Sequence, residues 1–169
     1  METVICKTCL RMEVLCPHCE ELLRSGNVSR EYLAVARKLL DLEERGLSEL
    51  SKVELRNVFV TDRMMILLLN PEGLQALRGR IRQIARVLER EFGRRIRMVG
   101  DYRDIRDFLE DLIYPAPVIT VNTIWVPDGT QEIRLIVYAS DLRRSGLSKE
   151  DVERIARVVK GVVVRVTTV

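Results

Sequence analysis

The stretch that decides the fold is VELRNVFVTDRMMILLLNPEG, residues 53–73. It contains two runs rich in apolar and β-branched residues, 53–60 and 63–69, which we expect to form strands. Thr61-Asp62 separates the runs and favours a tight connection between antiparallel strands. Asn70-Pro71 then favours a turn and the start of a helix. The stretch therefore predicts two paired strands followed directly by a helix.

Helical patterns flank these two strands. Upstream, Ser29 is a candidate N-cap of a helix that we expect to end near Glu44. Downstream, the apolar spacing predicts a short helix to Leu77, a longer helix over 80–92 and a strand over 95–99. The resulting order is helix, strand, strand, helix, helix, strand, which predicts an α+β fold.

The rest of the chain repeats this order. Its patterns predict a helix, two strands, two helices and a final strand, at 102–113, 118–126, 132–138, 141–144, 149–159 and 162–166. Gly93 and Gly161, which we expect to end the long helix of each copy, are 68 residues apart. A fixed period with a matching element order indicates duplication. We therefore expect an N-terminal module followed by two similar units, over residues 1–27, 28–100 and 101–169.

All four cysteines lie in the first 19 residues, as two C-x-x-C pairs, Cys6 with Cys9 and Cys16 with Cys19. A C-x-x-C turn directs two sulfur atoms to one centre, and two such turns complete the tetrahedral set that zinc prefers. The six residues between the pairs suffice for a tight hairpin. We therefore predict a small structural zinc ribbon or knuckle with these four ligands. Removal of the zinc is then expected to unfold residues 1–24 and leave the rest folded.

Other uses of the cysteines remain open at this point. Cys16-Pro17-His18-Cys19 also has the form of a thiol–disulfide redox motif, although such motifs begin a helix after a buried strand. Structural disulfides are a further alternative in a heat-adapted protein, a class suggested by the high content of arginine, glutamate, valine and isoleucine. His18, the single histidine, could replace one cysteine as a ligand, but an exposed position beside the metal is the simpler expectation.

The positive charge of the chain is concentrated in one segment. Residues 78–97 contain eight arginines and two glutamates, a net charge of +6 in a chain whose total is +3. Arginines spaced by four lie on one face of a helix, where their repulsion opposes folding. Phosphate fits the forked donors of arginine and would relieve that repulsion. We therefore predict an RNA-binding surface formed by Arg78, Gly79, Arg80, Arg82, Arg86 and Arg90.

Acidic residues offer an alternative explanation of this segment. The neighbouring residues 101–111 carry five acids and two arginines. Together with Glu89 they could neutralise the arginines through surface ion pairs, as in heat-adapted proteins. In that case the segment would need no anionic partner.

The element order matches that of a type II KH unit, which binds single-stranded nucleic acid at a G-x-x-G loop between its two adjacent helices. Residues 104–121, DIRDFLEDLIYPAPVITV, resemble the start of the second KH unit of NusA-type transcription factors. Residues 91–99, EFGRRIRMV, resemble the end of the first. The resemblance covers about residues 28–169, and the chain is more like the short archaeal KH-pair proteins than the bacterial members, which carry further domains. It implies two type II KH-like units in tandem.

The chain departs from this family at the loops that would hold RNA. The junctions between adjacent helices, 76–79 and 145–148, each contain one glycine instead of two. Glycine allows a phosphate backbone to approach a loop closely, whereas a side chain obstructs it. We therefore expect the arginines to compensate in the first unit, and we expect no standard clamping in the second.

The resemblance implies an RNA-binding factor acting in transcription elongation or termination, with single-stranded RNA and RNA polymerase as partners. A ribosome-associated protein that binds ribosomal RNA, and a protein–protein adaptor with degenerate KH units, are the alternatives. We expect no enzyme and no small-molecule substrate, since the chain has one histidine, no nucleotide-phosphate loop and no Ser/His/Asp set. No apolar run approaches ~18 to 20 residues and no signal-peptide layout is present, so we expect a cytoplasmic protein without a membrane segment.

Overall fold

The computed structural model describes residues 1–169 and forms two compact units, Met1–Gly100 and Asp101–Val169. Each unit combines α-helices with one three-stranded sheet, so the α+β class expected from the sequence is confirmed. None of the eight α-helices is both long enough and apolar enough to cross a membrane.

The first unit contains five α-helices, a 3₁₀ helix and three strands. They are α1 (Lys7–Arg11), α2 (Pro17–Arg24), α3 (Arg30–Glu44), the 3₁₀ helix (Ser48–Lys52), β1 (Leu55–Val60), β2 (Met64–Leu69), α4 (Pro71–Ala76), α5 (Ile81–Phe92) and β3 (Arg95–Gly100). Ser29 caps α3, because its Oγ accepts a hydrogen bond from the amide of Tyr32 at 3.0 Å. Gly93 ends α5 with a φ of 66°, a left-handed conformation that favours glycine.

The central strand of the first sheet is β2, with β1 antiparallel on one side and β3 parallel on the other. All six residues of β2 are buried, which agrees with its unbroken apolar run. Met65, Leu67 and Leu69 lie in one hydrophobic core with Val35 and Leu39 of α3. The helices of this unit are therefore held on the sheet by β2.

The second unit contains three α-helices and three strands. They are α6 (Ile105–Leu112), β4 (Val118–Trp125), β5 (Gln131–Val137), α7 (Ala139–Ser145), α8 (Lys149–Lys160) and β6 (Val163–Thr168). The central strand β5 is antiparallel to β4 and parallel to β6. Ser148 and Asp151 form a capping box at the start of α8, and Gly161 ends this helix with a φ of 66°.

The two units share one element order and one sheet topology. From α3 and from α6 onwards, each runs helix, strand, strand, helix, helix, strand, with a sheet of the same strand order, apart from the 3₁₀ helix between α3 and β1 of the first unit. The first strand of each sheet carries an irregularity after its first residue, at Leu55 and at Val118. The order of elements expected from the sequence is therefore present in both units, with small shifts at the element ends.

The N-terminal segment forms two short helices and not a zinc ribbon, one of the two forms predicted, and no β-hairpin lies between the cysteine pairs. The pairs lie at the starts of α1 and α2, and the only β contact of this segment is an isolated bridge between Glu2 and Glu54. Pro17 occupies the first position of α2 and Cys16 its N-cap, both of which favour the start of a helix over a strand.

This segment also contributes to the core of the first unit. Ile5, Leu10 and Cys19 are buried in the hydrophobic cluster that contains α3 and the first sheet. Glu2 makes two backbone hydrogen bonds to residues flanking the start of β1. A segment with two short helices is too small to bury its own apolar residues, and residues 1–27 accordingly pack as part of the first unit.

Candidate metal centre and cationic surface

The four cysteines converge on one point of the first unit. Cys6 and Cys16 immediately precede α1 and α2, and Cys9 and Cys19 lie in the first turns of the same helices. The four Sγ atoms all lie within 4.8 Å of one another, and those of Cys6 and Cys19 are 3.8 Å apart. Zinc–sulfur bonds of about 2.3 Å in a tetrahedral centre place sulfur atoms about 3.8 Å apart. The cluster therefore has the size of a four-thiolate metal site.

Backbone amides at the helix starts face two of the sulfur atoms. The amide of Cys19 donates to Sγ of Cys16 at 3.5 Å, and the amide of Cys16 donates to Sγ of Cys9 at 3.1 Å. Hydrogen bonds of this kind favour the thiolate over the thiol. The helix starts thus direct the sulfur atoms towards one another and also stabilise the charged form that binds metals.

The four thiols differ in acidity. The amide of Cys19, assisted by the thiol of Cys9, lowers the pKa of Cys16 to about 7, and the amide of Cys9 lowers the pKa of Cys6. The amide of Cys16 also favours the Cys9 thiolate, but hydrogen bonding to Cys6 and burial outweigh it and raise the pKa of Cys9 to about 12. Burial raises the pKa of Cys19. Two thiols therefore stay protonated near neutral pH unless a cation joins the cluster.

The donor set fits a metal ion better than the two alternative uses of the cysteines. All four are free thiols, so no disulfide is formed. Cys16 does begin a helix, as a redox motif would, but no strand precedes α2. His18 is exposed and lies outside the group of potential ligands. Four sulfur donors in a closed set suit a tetrahedral, borderline-soft ion.

Arg37 of α3 contacts the backbone of the segment between the two cysteine pairs. Its Nη2 donates to the carbonyl oxygen of Met12 at 2.8 Å and to that of Cys9 at 3.3 Å. The sequence alone did not identify this residue. One feature of the sequence could have indicated its role. It is a charged residue next to Ala36, in a helix whose apolar positions predict burial, and a charge at such a place needs a partner.

The predicted RNA-binding residues are exposed at the α4–α5 junction and along α5. All six are solvent-accessible, namely Arg78, Gly79, Arg80, Arg82, Arg86 and Arg90. Ile84 and Leu88, on another side of the same helix, are buried in the core. The amphipathic pattern therefore fixes α5 so that Arg82, Arg86 and Arg90 face solvent. Together with the exposed Arg78 of the junction, they are called here the arginine row.

The arginine row has no acidic partner within the first unit. Arg80 at the junction is paired with Glu49 at 3.2 Å, but no carboxylate of this unit lies within ion-pair distance of the four residues of the row. The glutamates of α5 are engaged elsewhere. Glu89 accepts a hydrogen bond from the amide of Ile96, and Glu91 lies 3.7 Å from Lys38. Glu89, considered above as a neutralising residue, therefore does not neutralise the row.

The first turn of α5 lacks a cap. Arg80, at its N-cap position, donates from its guanidinium to the side chain of Gln83 at 3.2 Å, but no side chain accepts from the backbone amides of the turn, and the turn contains no acidic residue. The corresponding helix α8 is capped by Ser148 and carries Glu150 and Asp151 in its first turn. Because free amides at a helix start attract anions, only the first unit offers an open anion-binding position at this junction.

The junction of the second unit is closed by its own hydrogen bonds. The buried Oγ of Ser145 donates to the carbonyl oxygen of Leu142 at 2.6 Å and accepts from the amide of Leu147 at 3.2 Å. Gly146, with a φ of 83°, ends α7. Groups that would meet a phosphate in an open loop are thus already bonded within the chain.

The two glycines of the α4–α5 region have different surroundings. A Cβ at Gly79 would meet no atom within 4 Å, so the junction leaves room for another molecule. A Cβ at Gly73 would lie 2.8 Å from Cα of Val53 and 2.9 Å from the carbonyl oxygen of Lys52. Gly73 was not identified from the sequence as important. The signal was a glycine inside a predicted helix, which costs stability unless packing requires it.

Comparison with known proteins assigns no family. No family model and no curated protein matches this chain. A solved structure described as "Crystal structure of APE1850" has 18% sequence identity to it and a TM-score of 0.48, with 76% of this chain and 96% of that chain covered. A similarity this distant supports no function.

Proposed function

We propose that this protein binds single-stranded RNA through the α4–α5 junction and the arginine row. The observation that carries the proposal is the coincidence, at one place, of four arginines without acidic partners in the first unit and a helix start without a side-chain cap, although Arg80 beside them is paired with Glu49. Guanidinium and amide donors without a competing carboxylate are what a phosphate backbone requires. Because phosphate contacts are independent of base identity, we expect this surface to supply affinity more than sequence specificity.

The repeated element order supports a KH-like assignment for both units. A type II KH unit has this order and holds the nucleic-acid backbone at the loop between its adjacent helices, which in the first unit is the junction at Gly79. A second glycine in that loop would let the phosphate approach closely. In its absence, the long side chain of Arg78 would reach the phosphate and supply part of that contact. The resemblance to NusA-type factors favours a role in transcription elongation or termination.

The second unit has a different role from the first in this proposal. Its α7–α8 junction is capped and internally bonded, so an incoming phosphate would have to displace existing hydrogen bonds. Displacing bonds within the chain lowers the net gain from binding. We therefore assign RNA contact to the first unit, and a structural or protein-binding role to the second.

Zinc is the proposed ion at the four cysteines. It takes four thiolates at tetrahedral spacing and, with no open position, stabilises structure rather than supplying chemistry. Its binding would displace the protons held by the thiols of high pKa, such as Cys9. Elemental analysis of the purified protein should give one zinc per chain. Iron in its place, or no metal after refolding with zinc, would contradict the assignment.

The RNA-binding proposal is tested with a short single-stranded RNA at two salt concentrations. We expect binding that weakens as salt rises, because each phosphate contact releases counterions. The variant Arg78/Arg82/Arg86→Glu should lose binding at both concentrations while its circular dichroism spectrum remains that of the folded protein. Retention of wild-type affinity by this folded variant would remove the arginine row from the binding surface.

A matched control separates a local surface from overall charge. The variant Arg24/Arg30/Arg45→Glu makes the same charge change at three exposed arginines elsewhere in the first unit. We expect it to keep most of the affinity, since contacts beyond about 10 Å are largely screened at moderate salt. Equal losses in the two variants would show that net charge governs binding. No binding by the wild-type protein would contradict the proposed function as a whole.

A further inference from the structure

The loop between the two cysteine pairs has few contacts of its own. Leu10 and Leu15, at its two ends, pack in or against the core of the first unit, whereas residues 11–14 between them are all exposed. The exposed middle of such a loop has no buried side chain to hold it, so its position depends on polar contacts. Arg37 of α3 provides them by bonding to the loop backbone, whereas the pair of Glu44 with Arg11, at 2.6 Å, is exposed and adds little.

Arg37 completes the carboxyl end of α1. Its two hydrogen bonds go to the carbonyl oxygens of Cys9 and Met12, at the end of a helix where carbonyl groups lack partners within the helix. α1 has five residues, too few to be stable in isolation. The position of Cys9, and of the loop that leads to Cys16, therefore depends on this contact with α3.

The same guanidinium carries a buried donor without an acceptor. Nε of Arg37 is shielded from solvent and has no hydrogen-bond partner. An unpaired buried donor is destabilising in neutral surroundings. Four thiolates around a divalent ion have two net negative charges, and the field of such a group stabilises a cation held beside it. A metal-loaded cysteine cluster would therefore offset the cost of burying this arginine.

We propose that Arg37 is a positioning residue of the metal centre. It fixes the backbone of Cys9 and of the connecting loop, and its charge offsets part of the charge of the thiolates. The inference rests on the proposed metal site. It adds to the two C-x-x-C pairs a residue from a distant part of the sequence that determines how tightly the metal is held.

The test compares the zinc affinities of the wild-type protein, Arg37→Met and Arg37→Lys by competition with a chromogenic chelator. Methionine keeps a long unbranched side chain but removes the charge and the donors. We expect Arg37→Met to weaken zinc binding about 10- to 100-fold, the range found when a group that orients a metal ligand is lost. Arg37→Lys should recover part of this loss, because lysine keeps the charge without the forked donors.

A control on the same loop distinguishes this role from a general effect of charge. Arg11→Met removes an equal charge and an exposed ion pair with Glu44. Exposed pairs contribute little, so we expect zinc affinity to change by less than about fivefold. Equal weakening in Arg11→Met and Arg37→Met would overturn the proposal.

Bound cobalt(II) provides a second measurement, whose result a change in protein stability alone would not alter. Its visible absorption reports tetrahedral thiolate coordination, and we expect altered bands in Arg37→Met at saturating cobalt, with the wild-type spectrum partly restored in Arg37→Lys. Unchanged zinc affinity and an unchanged cobalt spectrum in Arg37→Met would overturn the role of Arg37. Failure of the wild-type protein to bind either ion would instead overturn the metal centre.

Discussion

The hydroxyl of Tyr32 lies 2.5 Å from the carbonyl oxygen of Leu55, to which it donates a hydrogen bond. The same hydroxyl accepts a hydrogen bond from the amide of Val4 at 3.0 Å. Burial raises the pKa of Tyr32 above its usual value, so the hydroxyl stays protonated and keeps donating. One buried side chain of α3 therefore joins the N-terminal segment to the first strand of the sheet.

Replacement of this tyrosine should destabilise the first unit. Tyr32→Phe leaves the carbonyl of Leu55 and the amide of Val4 without their shared partner, and an unsatisfied buried group costs about 1–3 kcal/mol. We expect the free energy of unfolding, measured by urea titration in the presence of zinc, to fall by about that amount. Tyr138→Phe removes a hydroxyl from a side chain that is 51% exposed and should change it by less than about 0.5 kcal/mol. Equal effects would refute the bridging role.

Gly73 is expected to tolerate no larger residue. A Cβ at this position would lie 2.8 Å and 2.9 Å from backbone atoms of Val53 and Lys52, so α4 would have to move. We expect Gly73→Ala to cost about 1–3 kcal/mol in thermal or chemical unfolding. Gly79→Ala is the control, because its Cβ would enter open space, and should stay within about 0.5 kcal/mol of the wild type. A neutral Gly73→Ala would mean that the contact with Val53 is looser than the structure shows.

The helices and strands could be predicted because their signals are local. Ser29 and Ser148 mark helix starts through bonds to amides a few residues away, and Gly93 and Gly161 mark helix ends through their own backbone conformation. The apolar run of β2 indicates a buried strand without knowledge of what covers it. Signals of this kind need no information about distant residues.

The spacing of the cysteines predicted their convergence but not the structure that achieves it. Six residues between the pairs are compatible with a hairpin or with a helix and a loop. Pro17 at the first position of α2 and Cys16 at its N-cap favour the helix. The contacts of Arg37 and of Tyr32 join residues at least 23 positions apart, which no local pattern reveals. The same holds for the pair of Arg80 with Glu49.

Metal removal should affect more of the first unit than the cysteine segment. The sequence alone predicted that chelation unfolds only residues 1–24, but Cys9 and Cys19 share a core with Val35 and Leu39 of α3. We therefore expect chelation to increase hydrogen exchange in α3 as well, because loss of the segment exposes its buried face. Hydrogen exchange with mass spectrometry, with and without chelator, measures this. Faster exchange confined to residues 1–24 would support an independently folding module.

The number of protons released by zinc should depend on pH. Cys16, with a pKa lowered to about 7, is mainly thiolate above that pH and thiol below it, whereas Cys9, with a pKa raised to about 12, is a thiol throughout the neutral range. Binding at pH 6 should therefore displace about one proton more than binding at pH 8, and zinc affinity should be lower at pH 6. Calorimetry in buffers of different ionisation enthalpy counts these protons. An equal count at both pH values would contradict the assigned acidity of Cys16.

The arginine row should lower the stability of the free protein while it promotes binding. Arg86 lies four residues from both Arg82 and Arg90 on α5, and each such pair of like charges costs about 0.2–0.5 kcal/mol. Glutamine has a helix propensity close to that of arginine. We therefore expect Arg86→Gln to raise the free energy of unfolding by about 0.4–1 kcal/mol at low salt and to weaken RNA binding.

Arg24→Gln is the matched control for Arg86→Gln, in which stability should rise while RNA affinity falls. Arg24 is exposed and paired with Glu21, so Arg24→Gln should leave RNA affinity unchanged and lower stability by at most about 0.5 kcal/mol. Urea titration and RNA binding measured on the same preparations compare the two variants. A gain in stability with a loss of affinity, at Arg86 alone, identifies a residue kept for a ligand. A loss of stability in Arg86→Gln would instead show that the row is already neutralised within the protein.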